Sequence, residues 1–509
     1  MNLSFEWLRA WPSILGSAAL ALFGLMSPAS AVAEPSLPLR PADTVLAGKI
    51  TRTDFQTYRR IPFIVPRGVD RIVVAFDFDG RDQRTVIDLG VEDPHGLRGA
   101  SGGNKASFTI SRTDATPSYL PGPVVPGKWQ LMLAIPNIRP SVTTHWKARI
   151  WFLIGAEAET LPGPTAGRGP GWYRGDLHAH SAHSDGSCPS QSGQIVPCPV
   201  FLSLEAAAAA KLDYIALTEH NTASQAQALR EAQPYFDRML LIPGREITTF
   251  FGHFNVFGVT APLDYRIMPG GPIGFNGIAD RVHALGGLVS INHPALPSGE
   301  ICMGCGWTMP GVDYAKVDAV EVINGSSVGA TGGNAESAVS GTKFWLSQLR
   351  EGHAVVALGG SDNHRPGQIG LGAIGSPVTV VFAEDLTQPA ILAGLRSGRA
   401  FVVLDPSMSS LHIDFAVRSG PHSAPMGGQI EFASTMSVEV LPDVSGPVGA
   451  TCEVVVDEHV VEQITLTGAV AAPVPLAALP KGLHLVRLQL RGATGRIIAL
   501  GNAVRLVVR

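Results

Sequence analysis

Six short segments between residues 175 and 364 gather imidazole and carboxylate side chains. The first reads Gly175-Asp-Leu-His178-Ala-His180-Ser-Ala-His183-Ser-Asp185-Gly. In extended chain, residues i and i+2 share a face, so His178 and His180 point the same way and one cation can bind both. Asp362 and His364 repeat that spacing. Between them come Leu-Thr-Glu219-His220-Asn, Pro-Gly-Arg245-Glu246, Gly-His253-Phe-Asn255 and Ile-Asn-His293-Pro294. An imidazole-rich, carboxylate-containing set without thiolates suits Zn, Mn or Fe. A single His after a strand is ordinarily a satisfied polar residue, and Ser-Asp-Gly and Asn-His-Pro are turn sequences. Placement points to metal: the segments recur in order through one stretch, most of them directly after an apolar run.

Those apolar runs must position them. Strand-like stretches at 213–217, 239–242, 288–291, 319–323 and 354–358 alternate with helix-forming stretches at 204–212, 277–285 and 343–350. Repeated strand-then-helix units predict a parallel barrel or open sheet over 172–405. In a parallel barrel the loops after the strands share one face, where active sites sit. His283, inside a helical pattern, and His353, at a helix end, read as structural. Residues 34–165 are short apolar runs divided by Gly/Pro turns, the pattern of a β-sandwich. A Gly/Pro-rich linker follows at 161–171. Residues 406–509 return to strands and predict an immunoglobulin-like sandwich. Trp146 and Trp151 read either as core or as a sugar-binding platform.

The 509 residues suit about three domains. Charged residues are 16% and hydrophobic residues 45%, with mean hydropathy +0.19. That excludes a disordered chain. The net charge of −4 offers no footprint for nucleic acid. No charge lies between Arg9 and Glu34, and an apolar core at 14–26 leads to Pro28 and the small residues Ala31 and Ala33. This predicts a signal peptide over 1–33, cleaved after Ala33, and a periplasmic or secreted protein with no later membrane span; an uncleaved anchor is the alternative. Export permits disulfides among Cys188, Cys198, Cys302 and Cys305, with the connectivity left open. Cys452 reads as a buried thiol.

Together, HxHxxxSDG (178–186), Leu-Thr-Glu-His-Asn (217–221), Glu246, His253, Asn-His-Pro (292–294) and Ser-Asp-Asn-His (361–364) resemble the PHP superfamily, the polymerase and histidinol phosphatase group. The flanking words Gly-Asp-Leu-His, Gly-His-Phe-Asn-Val, Ala-Glu-Asp-Leu and Leu-Arg-Ser-Gly-Arg-Ala-Phe-Val look most like its CehA/McbA-like exported branch. The resemblance covers about 172–405. It implies a distorted (β/α)7 barrel, here flanked by two β-sandwich domains, holding two or three divalent ions. By the same resemblance His178, His180, Glu246 and Asp362 hold the first ion. Glu246 bridges to a second, completed by His253 and His293, and Asp185, His220 and His364 hold a third. Many members have Asp where Glu219 stands, so Glu219 is expected to support a ligand rather than bind.

Two such ions activate a bridging water and clamp attacking and leaving oxygens, so no Ser or Cys nucleophile is required. Arg245 and Arg365, beside ligands, are candidate contacts to a substrate anion, and His183 is a candidate contact to ligand or substrate. The expected activity is an exported metal-dependent phosphoesterase acting on a small phosphorylated ester. Hydrolysis of carboxylic or carbamate esters is the alternative, since the same hydroxide attacks carbonyl carbon and the branch name points to carbaryl. A non-catalytic binding protein is the third reading.

Overall fold

Period-two burial builds the N-terminal residues. In Gly127–Asn137 the side chains of Trp129, Leu131, Leu133 and Ile135 are buried while those between them are not. That strand lies in a four-stranded antiparallel sheet with Tyr58–Val65, Val86–Asp93 and Gly96–Ala100. A second sheet of Thr44–Ile50, Thr144–Leu153, Arg71–Phe78 and Ser107–Ser111 shares its core, around Phe76, Phe108, Trp129 and Ile150. Trp146 and Trp151 are both buried, so neither is a surface platform for sugar. The computed structural model describes residues 37–160, 163–300, 302–405, 408 and 410–509, and the expected signal segment lies outside them. Among the described residues no helix is long and apolar enough to cross a membrane.

The central residues are mixed α/β, rich in strand with few helices. Nine strands matter for the site: β1 (Gly171–Asp176), β2 (Tyr214–His220), β3 (Leu240–Thr249), β4 (Gly252–Phe257), β5 (Leu288–Ile291), β6 (Ala319–Asn324), β7 (Val356–Gly360), β8 (Val378–Ala383) and β9 (Ala400–Val403). Their order in the sheet is β7-β6-β5-β4-β3-β2-β1-β8-β9. Helices α1 (Val200–Ala209), α2 (Ala226–Ala232), α3 (Phe275–Ala284), α4 (Gly325–Ala330), α5 (Thr342–Arg350) and α6 (Gln388–Ser397) are the principal helices of this region. β2 and β4–β7 are buried almost throughout, as continuous apolar runs covered on both faces require.

The strictly parallel expectation needs correction. β1/β2, β2/β3, β5/β6 and β6/β7 are parallel, but β4 runs antiparallel to both neighbours. Only Phe250 and Phe251 separate β3 from β4, which leaves no room for a crossover helix. Gly252 turns the chain at φ +133°, a conformation that L side chains rarely adopt. β8 and β9 are antiparallel as well. An isolated parallel bridge, Ala179 to Asn363, joins the segment after β1 to the segment after β7. The two ends of the seven-strand run thus meet beside the conspicuous His and Asp residues.

Toward the C-terminus, β9 pairs with Ile497–Gly501, so the sheet continues through Gly482–Arg491 and Thr451–Val456. A separate sheet of His412–Ser419, His422–Pro425, Val438–Ser445 and Val474–Leu476 packs over it. Cys452 is buried and free, and burial pushes its thiol up to about 12.

Candidate metal centre

Glu246 is the hub. It lies in the second half of β3 and is almost wholly buried. Its Oε2 stands 3.5 Å from His178 Nε2, 3.6 Å from His180 Nε2 and 3.0 Å from His220 Nδ1. Its Oε1 stands 3.3 Å from His253 Nδ1 and 3.4 Å from His293 Nε2. Asp362 Oδ1 lies 3.3 Å from His178 Nε2 and 3.2 Å from His180 Nε2. On the outer side Asp185 approaches His220 Nε2 at 3.6 Å and His364 Nε2 at 3.4 Å. Most of these separations exceed a good N–H···O bond. They match donors sharing an ion: two ligands about 2.1 Å from one centre at a tetrahedral angle stand about 3.4 Å apart.

Three groupings can hold a cation: His178, His180 and Glu246; Glu246, His253 and His293; and His180, Asp185, His220 and His364. Asp362 adjoins the first through both of its imidazoles. His178 Nε2 is buried without a hydrogen-bond partner, although it points at two carboxylates. A cation relieves such an atom, so the donors present fit divalent metal.

The topology explains how scattered segments converge. Parallel strands present their C-terminal ends here: His220 ends β2, and Asn292 and His293 follow β5. β4 is antiparallel and presents its start, so His253 is a strand residue rather than part of a loop after a strand. His293 (φ 27°), Asp362 (φ 53°) and Asn221 (φ 56°) adopt left-handed backbone, a strain that gathers at functional sites.

Neighbouring groups orient these donors. His178 Nδ1 lies 3.0 Å from Glu321 Oε1, and Glu321 Oε2 accepts from the His293 backbone N–H and from Asn324 Nδ2. Asn292 Nδ2 donates to Glu246 Oε1 at 2.9 Å. Glu219 accepts from the Ser181 backbone and hydroxyl and from the Ser184 hydroxyl, fixing the turn that carries Asp185. Asp176 accepts from the N–H groups of His178, Ser361 and Gly375, tying together the chain after β1 and after β7. Glu321 was not anticipated from the sequence. The available signal was a lone carboxylate inside the apolar run Ala319-Val-Glu-Val-Ile.

The electrostatics are those of carboxylates and imidazoles that stabilise one another's charges. Burial opposes every charge here, but the surrounding imidazoles hold Glu246 and Asp362 well below the usual carboxylate range. Burial likewise opposes the His178 imidazolium, and Asp362, Glu321 and Glu246 overcome it, raising that group well above its ordinary value. His220 is pushed up to about 10 by Asp185 and Glu246 against its burial. Burial, and behind it the imidazoles of His364 and His178, lowers His180.

Of the three candidate substrate contacts, Arg245 turns away from the groupings, Arg365 adjoins one of them, and His183 is a member of none. Arg245 precedes Glu246 on β3 and so takes the opposite face; its guanidinium donates to the carbonyls of Thr260 and Ala261. Burial lowers it to about 10. The same Thr260–Ala261 corner binds Glu159, at the end of the N-terminal sandwich region. Arg245 therefore belongs to a packing seam. Arg365 is exposed directly after His364. His183 is half-buried, with Nδ1 2.8 Å from the Ser224 hydroxyl, outside all three groupings. Disulfides join Cys188 to Cys198, next to the Asp185 turn, and Cys302 to Cys305, in the loop after His293.

No family model matches the chain, and no curated protein matches it. Among solved structures it is similar to a two-domain protein of Bacteroides vulgatus ATCC 8482 containing a predicted PHP-like metal-dependent phosphoesterase. The similarity has 17% identity and a TM-score of 0.35, and covers 66% of this chain and 95% of that one. At that level it carries no residue role across.

Proposed function

We propose that the chain is an exported metal-dependent hydrolase of small-molecule esters, phosphoesters first, with its seven site strands forming a distorted (β/α)7 barrel. The observation that carries this is the division of Glu246: one carboxylate oxygen serves His178, His180 and His220, and the other serves His253 and His293. A carboxylate with each oxygen facing a separate imidazole set is the donor pattern of adjacent ions. His178, His180, Glu246 and Asp362 would hold one, Glu246, His253 and His293 a second, and Asp185, His220 and His364 a third; Zn, Mn or Fe suits them. Bound there, divalent ions supply Lewis-acid polarisation of an ester oxygen and acidify water. The protein's share is to hold the donors rigid. Glu321 sets the ring of His178, Asn292 orients Glu246, and Glu219 holds the Asp185 turn. The two disulfides support an oxidising compartment and hence export.

One observation favours the second reading, a carboxylic or carbamate ester. Arg245 turns away from the cluster, and the chain beyond Glu246 and beyond His293 exposes the apolar side chains of Phe250 and Met303. A neutral, partly apolar ester needs no guanidinium clamp. The deciding experiment assays the purified chain, loaded with Zn or Mn, on bis-p-nitrophenyl phosphate, p-nitrophenyl phosphate and 1-naphthyl N-methylcarbamate. Turnover of a phosphoester upholds the first reading, and turnover of the carbamate alone upholds the second. No turnover at full metal occupancy overturns both in favour of a binding protein. His178→Ala and Asp362→Ala are expected to reduce bound metal and activity at least about tenfold with the fold retained. Fewer than about one ion per wild-type chain under replete conditions sinks the metal assignment.

A further inference from the structure

The strand Gly482–Arg491 has two differently used faces. Val486, Leu488 and Leu490 enter the C-terminal core, and Leu485 joins the core shared with the central residues. Arg487 and Gln489 share the face of Leu485, the side packed against α5. Arg487 is 8% exposed, forms no ion pair among the described residues, and its Nε is buried without a hydrogen-bond partner. Its one hydrogen bond among the described residues is long, from Nη2 to Gln489 Oε1 at 3.4 Å. A guanidinium taken from water without a direct ion pair is costly to keep.

It lines a cavity of about 180 Å³ between the central and C-terminal residues. From the central side come Ser337, Ser340 and Thr342, of which Ser340 already donates to the Val322 carbonyl and pairs with the Thr342 hydroxyl, and Lys343 at the start of α5, which makes no ion pair among the described residues. Two carboxylates also line it, but each has its own partner: Glu336 pairs with Arg491 at 2.8 Å and Glu458 with Arg350 at 2.9 Å. Lys343 and Arg487 are left without an ion pair of their own among the described residues; burial, and behind it Arg350, lowers Arg487 to about 10 against the pull of Glu458, Glu453 and Glu336. No residue of the metal groupings lines the cavity.

We infer that this cavity is a second binding site, for a small oxyanion of phosphate size and charge, held between Arg487 and Lys343 beside the Ser337 hydroxyl. Charge-assisted bonds from guanidinium and ammonium suit such a group, and the volume is below that of sites for drug-sized ligands. The site does not depend on the activity proposed above.

The test titrates inorganic phosphate into the metal-free full chain by calorimetry at constant ionic strength. The expected result is saturable binding of one phosphate per chain in wild type. Arg487→Gln should weaken it about tenfold or more, and Lys343→Gln severalfold, as the loss of a charged hydrogen bond implies. His178→Ala, which alters only the metal centre, should bind as wild type does. Absence of saturable binding in wild type overturns the inference, as do unchanged affinity in the two cation variants or loss of binding in His178→Ala alone. Lys343 is exposed, so its variant keeps the test decisive even where Arg487→Gln fails to fold.

Discussion

Each oxygen of Glu246 has a different duty, and that makes its exact orientation matter more than its charge alone. Asn292 holds one oxygen at 2.9 Å, but the ring of His178 is held by another carboxylate, Glu321, through Nδ1. A ligating imidazole whose far nitrogen meets a carboxylate is fixed in tautomer and plane, and made more basic. Glu321→Gln preserves shape and removes the charge. It is expected to lower metal affinity or turnover about 10- to 100-fold without loss of the fold, read by metal titration beside circular dichroism. Wild-type affinity in that variant would reduce Glu321 to a packing role. The sequence made His178 and His180 legible because their spacing is local. It hid Glu321 because the partners of that carboxylate are 143 positions away for His178 and 28 for His293.

At the scale of elements, the antiparallel hairpin of β3 and β4 is what places Glu246 and His253 side by side. The apolar runs revealed the parallel strands on either side of it. They could not reveal the reversal, since Gly-His-Phe-Asn-Val reads equally as a loop after a strand or as a strand starting at the site. The deciding feature is Gly252, at φ +133°, where an added Cβ would come within 2.4 Å of the Trp307 ring. Gly252→Ala must strain the turn, at about 1–3 kcal/mol, and displace the loop after His293. Chemical denaturation should show that loss, and metal titration a weakened site; a destabilised variant with wild-type metal affinity would show that the hairpin tolerates the shift. The candidate ligands come from six separate segments, so a metal ion bound among them would also cross-link these elements. Chelation is expected to lower the melting temperature, with about 2.7 kcal/mol of stabilisation withdrawn if free metal had stood at 100 times its dissociation constant.

Over the whole molecule, the candidate metal centre rests on modules that are fastened to it rather than strung beside it. The C-terminal strands extend the central sheet through the pairing of Phe401 with Gly501. The N-terminal sandwich is fastened by charge. Asp114, 2% exposed and just beyond the strand Ser107–Ser111, takes a bidentate grip from Arg71 of the same sandwich at 2.7 Å per bond and also meets Arg230 of α2 in the central residues. The backbone N–H of Ala115 donates to Gln227 of the same helix. Removing one partner from a buried ion pair strands the others, at about 3–5 kcal/mol. Asp114→Asn leaves Arg71 and Arg230 without their carboxylate, so it is expected to destabilise the chain by that order at pH 7 in urea denaturation. The pH dependence has a definite sign. Burial opposes the charge on Asp114, but the two guanidinium groups hold its pKa well below the ordinary 3.8. A depressed carboxylate contributes stability that is complete above its unfolded value and is lost as the pH falls through its folded one. The difference between wild type and Asp114→Asn should therefore stay constant from neutral pH down to about 4 and narrow only below it. A gap that closes already between pH 7 and 5 would mean that this cluster is not what fastens the sandwich to the central strands.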